Sequence, residues 1–208
     1  MKGLIKKILI KLSFLKVSNE SELEVENIET NTVNLRKGKK SDVSRWSNNN
    51  QLFQDWNERT ALLGDFIKPN ARIIEFGAGN MFLKEYLKNY KNYTPSDIVK
   101  RFDETVVCDL NKPLIIDLSK FDTIVFSGVL EYVYDIESLF YQLKYNRIHQ
   151  VVMSYCCSDI VTLSRDKNGW LSDYTKKELE TIFKKYNYKI EDYTEWKKQS
   201  LFNLVFQY

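Results

Sequence analysis

Ala71-Arg-Ile-Ile-Glu-Phe-Gly-Ala-Gly-Asn80 decides how this chain is read. An apolar, β-branched run ends in Gly77 and Gly79, and Phe82, Leu83, Tyr86 and Leu87 then recur at helical spacing. That order predicts a buried strand, a tight turn and the start of a helix. Glycine lets the backbone turn through positive φ and lets a ligand press against it. The N–H groups at a helix start add a polar surface there. Two of the seven glycines sit in this one turn.

Downstream, the same alternation repeats. Strands are predicted over 72–76, 93–98, 105–110, 121–126 and 149–155, with helices over 81–90 and 136–143 between some of them. Pro95 suits only a strand end or an edge. Thr175-Lys-Lys-Glu178 has the capping-box form and starts another helix. Two strands, 188–196 and 201–206, close the chain, and their short link permits an antiparallel pair. Upstream, Leu52, Trp56, Leu62, Leu63 and Phe66 predict a helix over 48–66. The expected fold is α/β: a Rossmann-like, doubly wound, mostly parallel seven-stranded sheet with an antiparallel C-terminal strand and helices on both faces. A ligand belongs outside the carboxyl ends of its strands, where Gly77 lies.

Composition narrows the partners. The 208 residues carry 31 basic and 28 acidic side chains, a net charge of +3, which is too balanced for nucleic acid to be the main partner. Cys108, Cys156 and Cys157 match no zinc spacing, so no metal is expected. They read as reduced core thiols of a cytoplasmic protein. Residues 1–16, MKGLIKKILIKLSFLK, hold five lysines and no acid. On a helical wheel their apolar residues fall in an arc of about 140°. This pattern fits either peripheral contact with an anionic membrane surface or packing on a protein face. Residues 17–45 are polar and mixed in charge and are expected to be a linker, with room for one short ordered piece, to a domain over 46–208.

The glycine turn is not a dinucleotide cradle. That motif needs a small residue where this chain has Phe82, and it has no acid at the position of Glu75. No Gly-Lys-Ser/Thr follows, so it is not a P-loop. Three further stretches accompany the turn: Ser96-Asp97, Cys108-Asp109-Leu110, and Phe121-Asp-Thr-Ile-Val-Phe-Ser-Gly-Val-Leu-Glu-Tyr-Val133.

With Glu75-Phe-Gly-Ala-Gly79, these stretches resemble the class I S-adenosylmethionine-dependent methyltransferases over residues 46–208. The resemblance implies that Glu75, Gly77 and Gly79 form the cofactor loop and that Asp97 accepts the ribose hydroxyls. It implies that Asp109 and Leu110 approach the adenine, with Ser127 and Gly128 beneath the methionine part. Three departures stand out: Met81 replaces the loop's third glycine, the link 98–103 is short, and Tyr145-Asn-Arg-Ile-His149 replaces the usual turn before the fifth strand.

Acceptors of a methyl group often need a base or a polarising group. Glu131 and Tyr132 are the candidates nearest the end of the fourth strand, followed by Tyr155, Ser158 and Asp159 after the fifth. His149, the only histidine, precedes the fifth strand and so belongs at the opposite end of the sheet. Trp46 and Trp170 are candidate covers for a small-molecule or carbohydrate acceptor, with O-methylation of a sugar for a surface polysaccharide as the specific expectation. The alternative is a non-catalytic binding or scaffold protein of the same fold.

Overall fold

The computed structural model describes residues 27–208. Seven strands form one sheet in it: β1 (Ala71–Phe76), β2 (Tyr90–Asp97), β3 (Val106–Val107), β4 (Thr123–Phe126), β5 (Gln150–Tyr155), β6 (Tyr188–Trp196) and β7 (Gln199–Phe206). Their order is β3-β2-β1-β4-β5-β7-β6. The first five are parallel, and β7 is antiparallel to both β5 and β6. The order reverses between β1 and β4, so the carboxyl ends of those two strands open the ligand crevice. The expected sheet is therefore present, with the antiparallel hairpin at its end.

Side-chain alternation assigns the two faces. Ile73, Val125, Val152 and Leu201 pack with Leu63 of α3 (Asn57–Asp65) and Leu83 of α4 (Phe82–Tyr86). Ile74, Phe76, Ile124, Phe126, Val151 and Met153 pack instead with Leu139, Phe140 and Leu143 of α5 (Ile136–Tyr145) and with Leu179 and Phe183 of α6 (Lys176–Lys185). β1 and β4 lie between neighbours on both edges and both faces, which is why they read as unbroken apolar runs. The capping box at α6 is formed: the Glu178 N–H donates to Thr175 Oγ1 at 3.2 Å, and the Thr175 N–H donates to Glu178 Oε2 at 2.7 Å. Lys197 and Lys198 both take positive φ, giving the two-residue turn whose twist suits the β6–β7 hairpin.

Four expectations need correction. The linker reading of 17–45 fails for its described part, because residues 27–38 are helical (α1) and α2 (Val43–Ser47) follows. Both are tied to the domain: Arg36 pairs with Asp166 at 2.7 Å and donates to the Trp170 carbonyl at 2.8 Å, and Arg45 donates to the Asn168 carbonyl at 3.0 Å. The helix over 48–66 is broken into 3-10 turns at Asn49–Gln51 and Gln54–Trp56 before α3 begins. Asn48 caps the first turn through its side chain, and Leu52 and Phe53 then extend. The helix over 81–90 shrinks to the five residues of α4, since the chain turns extended at Leu87 to enter β2. The strand over 105–110 is only two residues long and pairs only with Ser96 and Asp97, so most of β2 forms an edge that accommodates Pro95. The amphipathic stretch 1–16 lies outside the described residues.

Candidate functional site

At the carboxyl ends of β1 to β4 lies a cavity that opens to solvent. Its floor is the glycine turn. Gly77 and Gly79 have φ of 73° and 51°, and a Cβ on Gly77 would lie 3.0 Å from the Val129 side chain. Here the chain needs glycine for both conformation and space. Met81 takes φ 60° where the fuller loop motif has glycine.

Two acids close one end. Asp97, at the end of β2, accepts from the Gly79 N–H at 3.0 Å and the Val99 N–H at 3.2 Å. It also pairs with Arg101 at 3.4 Å, both side chains being less than a tenth exposed. Arg101 in turn donates to Asn49 Oδ1 and the Trp46 carbonyl, which fastens the covering segment over the cavity. Asp109, after β3, accepts from Ser41 Oγ at 2.6 Å and the Asn111 N–H at 3.0 Å, with Lys112 Nζ at 3.6 Å. Cys108 and Leu110 line the wall between the two acids.

The other end carries the opposite charge. Arg59 of α3 is 7% exposed and lines the cavity. Its guanidinium donates to Gln199 Oε1 at 3.1 Å and, more weakly, to the Ser127 carbonyl at 3.4 Å, while its Nε has no partner among the described residues. The rings of Trp56 and Trp196 flank it at 5.6 and 6.0 Å. Burial lowers its pKa against the pull of the nearby Glu131 carboxylate. Gly128, at φ 66°, makes room for it: a Cβ there would lie 2.4 Å from the guanidinium. The Gly128 N–H donates to Ser154 Oγ at 2.9 Å, and Ser127 Oγ bonds Thr60 Oγ1 at 2.8 Å.

Glu75 stands between these ends. It is fully buried and bonded by the Tyr93 hydroxyl, and burial pushes its carboxyl up to about 8. At neutral pH it is mostly protonated and adds little negative charge to the cavity.

Leu130–Tyr132 forms a single 3-10 turn, in which successive side chains point about 120° apart. Tyr132 faces the cavity, packed edge-on to Trp46 at 4.8 Å, and burial pushes its phenol up to about 12. Glu131 does not line the cavity. Its Oε1 accepts from the Cys156 N–H at 2.8 Å and Gln199 Nε2 at 3.0 Å, and its Oε2 has no partner among the described residues.

Of the sequence candidates, Glu75, Gly77, Gly79, Asp97, Asp109, Leu110, Ser127, Gly128 and Tyr132 meet at one cavity. Glu131 stands behind it. Tyr155 is buried against Ser172, and Asp159 accepts from the first N–H of α6, so neither reaches the cavity. Trp46 covers it, whereas Trp170 packs under Arg165 at 4.9 Å outside the lining. His149 precedes β5 at the far end of the sheet. Sequence reading missed Arg59, Arg101, Ser41 and Trp56; with Asp55 four residues before it and Glu58 beside it, Arg59 looks like an ordinary paired helix-surface arginine. Among the described residues no cluster of three or more His, Cys, Asp or Glu is placed to hold a metal ion.

No protein-family model matches the sequence, and no curated protein matches it. Solved structures do. The 1,6-didemethyltoxoflavin-N1-methyltransferase of Burkholderia thailandensis, solved with 1,6-didemethyltoxoflavin and S-adenosylhomocysteine, matches with a TM-score of 0.56 at 15% identity, over 91% of this chain and 90% of that one. An S-adenosylmethionine-dependent methyltransferase from Mesorhizobium loti matches with a TM-score of 0.54 at 16% identity, over 69% of this chain and 95% of that one. The O-methyltransferase NcsB1 from neocarzinostatin biosynthesis, solved with S-adenosylmethionine and 2-hydroxy-5-methyl naphthoic acid, matches with a TM-score of 0.50 at 13% identity, over 73% of this chain and 55% of that one. Strand order, crevice and neighbours agree: this chain has the fold of the class I S-adenosylmethionine-dependent methyltransferases.

Proposed function

We propose that this protein is an S-adenosylmethionine-dependent methyltransferase acting on a small, ring-bearing acceptor. One observation carries the reading: a single cavity at the switch point of the sheet sets two carboxylates, Asp97 and Asp109, at one end and a buried guanidinium, Arg59, at the other. The donor set suits the cofactor's parts. Among the described residues, Asp97 Oδ1 accepts only one bond, from Val99 N–H, and retains capacity for a ribose hydroxyl. Among the same residues Asp109 Oδ2 faces only the distant Lys112 and can take an amine. Arg59 suits the amino-acid carboxylate, and the glycines at 77, 79 and 128 let a ligand reach the backbone.

The bound cofactor would supply the activated methyl; the protein's part is alignment and exclusion of water. Trp46, Trp56, Phe53 and Tyr132 form an aromatic wall for a flat acceptor. Tyr132 contributes its ring to that wall, while its hydroxyl is buried toward Trp170. No imidazole reaches the cavity. An acceptor that ionises readily, such as a phenol, therefore suits the site better than an unactivated hydroxyl. The finer expectation, a sugar hydroxyl of a surface polysaccharide, draws on the same aromatic wall and would need its base from the acceptor side.

Isothermal titration with S-adenosylmethionine tests the reading. Binding is expected, with a loss on Asp97→Ala. Absence of both sinks it, and binding without turnover of labelled methyl onto any of a panel of phenols and sugars favours the scaffold reading. Peripheral membrane contact through residues 1–16 rests on their sequence pattern. No helix among the described residues is long and apolar enough to cross a membrane. Sedimentation with anionic vesicles, with and without residues 1–16, decides the matter, and equal sedimentation refutes membrane contact.

A further inference from the structure

Glu131, a candidate base or polarising group, has its carboxylate turned into the protein, where it bonds Gln199. Gln199 opens β7, directly after the Lys197-Lys198 turn, and is 6% exposed. Its Oε1 accepts from Arg59 Nη1 at 3.1 Å, and its Nε2 donates to Glu131 Oε1 at 3.0 Å. A buried cation and a buried anion are thus joined through one neutral amide, with no direct contact between them. The orientation of that amide is dictated from both sides, because a guanidinium only donates and a carboxylate only accepts. A leucine here would serve neither neighbour. A glutamate would face Arg59 well but would set a second anion against Glu131.

The guanidinium depends on this contact. Among the described residues its only other hydrogen bond is the 3.4 Å one to the Ser127 carbonyl, and Nε has none. The Trp56 and Trp196 rings confine its plane, and Gly128 gives it room, but neither fixes its rotation. Glu131 is anchored in turn by the Cys156 N–H at 2.8 Å, so the chain Cys156–Glu131–Gln199–Arg59 runs from the end of β5 to the cavity edge.

We propose that Gln199 is a positioning residue that holds Arg59 at the cavity edge to receive a carboxylate, with Glu131 as the counter-charge acting through it. The inference rests on the reading that the cavity takes S-adenosylmethionine, whose amino-acid carboxylate is the anion in question. Of the described residues that line the cavity, Gln199 hydrogen-bonds Arg59 and no other, so its effect is confined to ligands that carry that carboxylate.

The test titrates the full chain with S-adenosylhomocysteine and with 5′-methylthioadenosine, which lacks the amino-acid group. Gln199→Leu is expected to weaken S-adenosylhomocysteine by about ten-fold, the scale of one lost charge-assisted hydrogen bond, and to leave methylthioadenosine within about two-fold. Glu131→Gln follows the same pattern more weakly. If the leucine variant does not fold, as judged by its thermal melt, Gln199→Asn makes the same comparison: it keeps a neutral amide but is one methylene too short to reach from Glu131 to Arg59. Equal weakening of both ligands, or no weakening of either, overturns the positioning role. Wild-type protein that binds neither ligand overturns the cofactor reading itself.

Discussion

Glu75 makes the stability of this protein depend on pH in an unusual direction. Its carboxyl is fully buried and titrates at about 8, against 4.5 for an ordinary glutamate, chiefly because burial disfavours the charged form. The unfolded chain releases this proton near 4.5 and the folded protein only near 8. Between those values the folded state holds more protons, so stability falls as pH rises, by about 1.4 kcal/mol per pH unit. The full span of 3.5 pH units corresponds to a loss of about 5 kcal/mol, complete above pH 8 and absent below 4.5. Glu75→Gln is the control: it keeps an acceptor for the Tyr93 hydroxyl and cannot ionise. Urea unfolding of both proteins at pH 5, 6, 7 and 8 isolates the effect, because every other group titrates alike in the two. The wild type is expected to lose ground steadily against the glutamine variant across this range. A difference that stays flat to within about 1 kcal/mol from pH 5 to 8 refutes the reasoning.

Three other perturbations are specific. Gly128→Ala places a methyl 2.4 Å from the Arg59 guanidinium at φ 66°, and is expected to cost at least about 2 kcal/mol in urea unfolding and to weaken S-adenosylhomocysteine binding. Met81→Gly relieves a left-handed conformation and is expected to gain about 0.5–1 kcal/mol, read as a rise of about 2 °C in Tm; a fall in Tm contradicts it. Arg101→Met removes the partner of buried Asp97 and the tether to Trp46 and Asn49, with an expected cost of about 3 kcal/mol and faster amide exchange across residues 46–52. Unchanged protection in that segment refutes its role as a tether.

The sheet and the acid pair were legible because both follow from local pattern. Ile73, Ile74 and Phe76 announce a strand, and the Gly77 turn fixes which end of it carries the ligand. Asp97 and Asp109 fall at strand ends by the same reckoning. Arg59 was not legible. Arginine on a helix ordinarily faces water, and here it is held inside by Gln199, a residue 140 positions away. Glu131 was placed wrongly because sequence adjacency to Tyr132 does not mean a shared direction: in a 3-10 turn the two diverge by about 120°. The helix over 48–66 misled for a related reason. Leu52, Phe53 and Trp56 are apolar because they wall a cavity, and a cavity wall imposes no helical period.

The short β3 has a consequence for how copies of this protein meet. It covers only Ser96 and Asp97, so the outer edge of β2 from Tyr90 to Pro95 has no partner strand among the described residues. An open edge of that length is a template on which a second sheet could extend. Here that edge carries the exposed side chains of Lys91 and Asn92, and Pro95, which has no N–H to give. A neighbouring strand would have to bury an ammonium and forgo a ladder bond to add itself, so the same strand that delivers Asp97 to the cavity also resists edge-to-edge pairing.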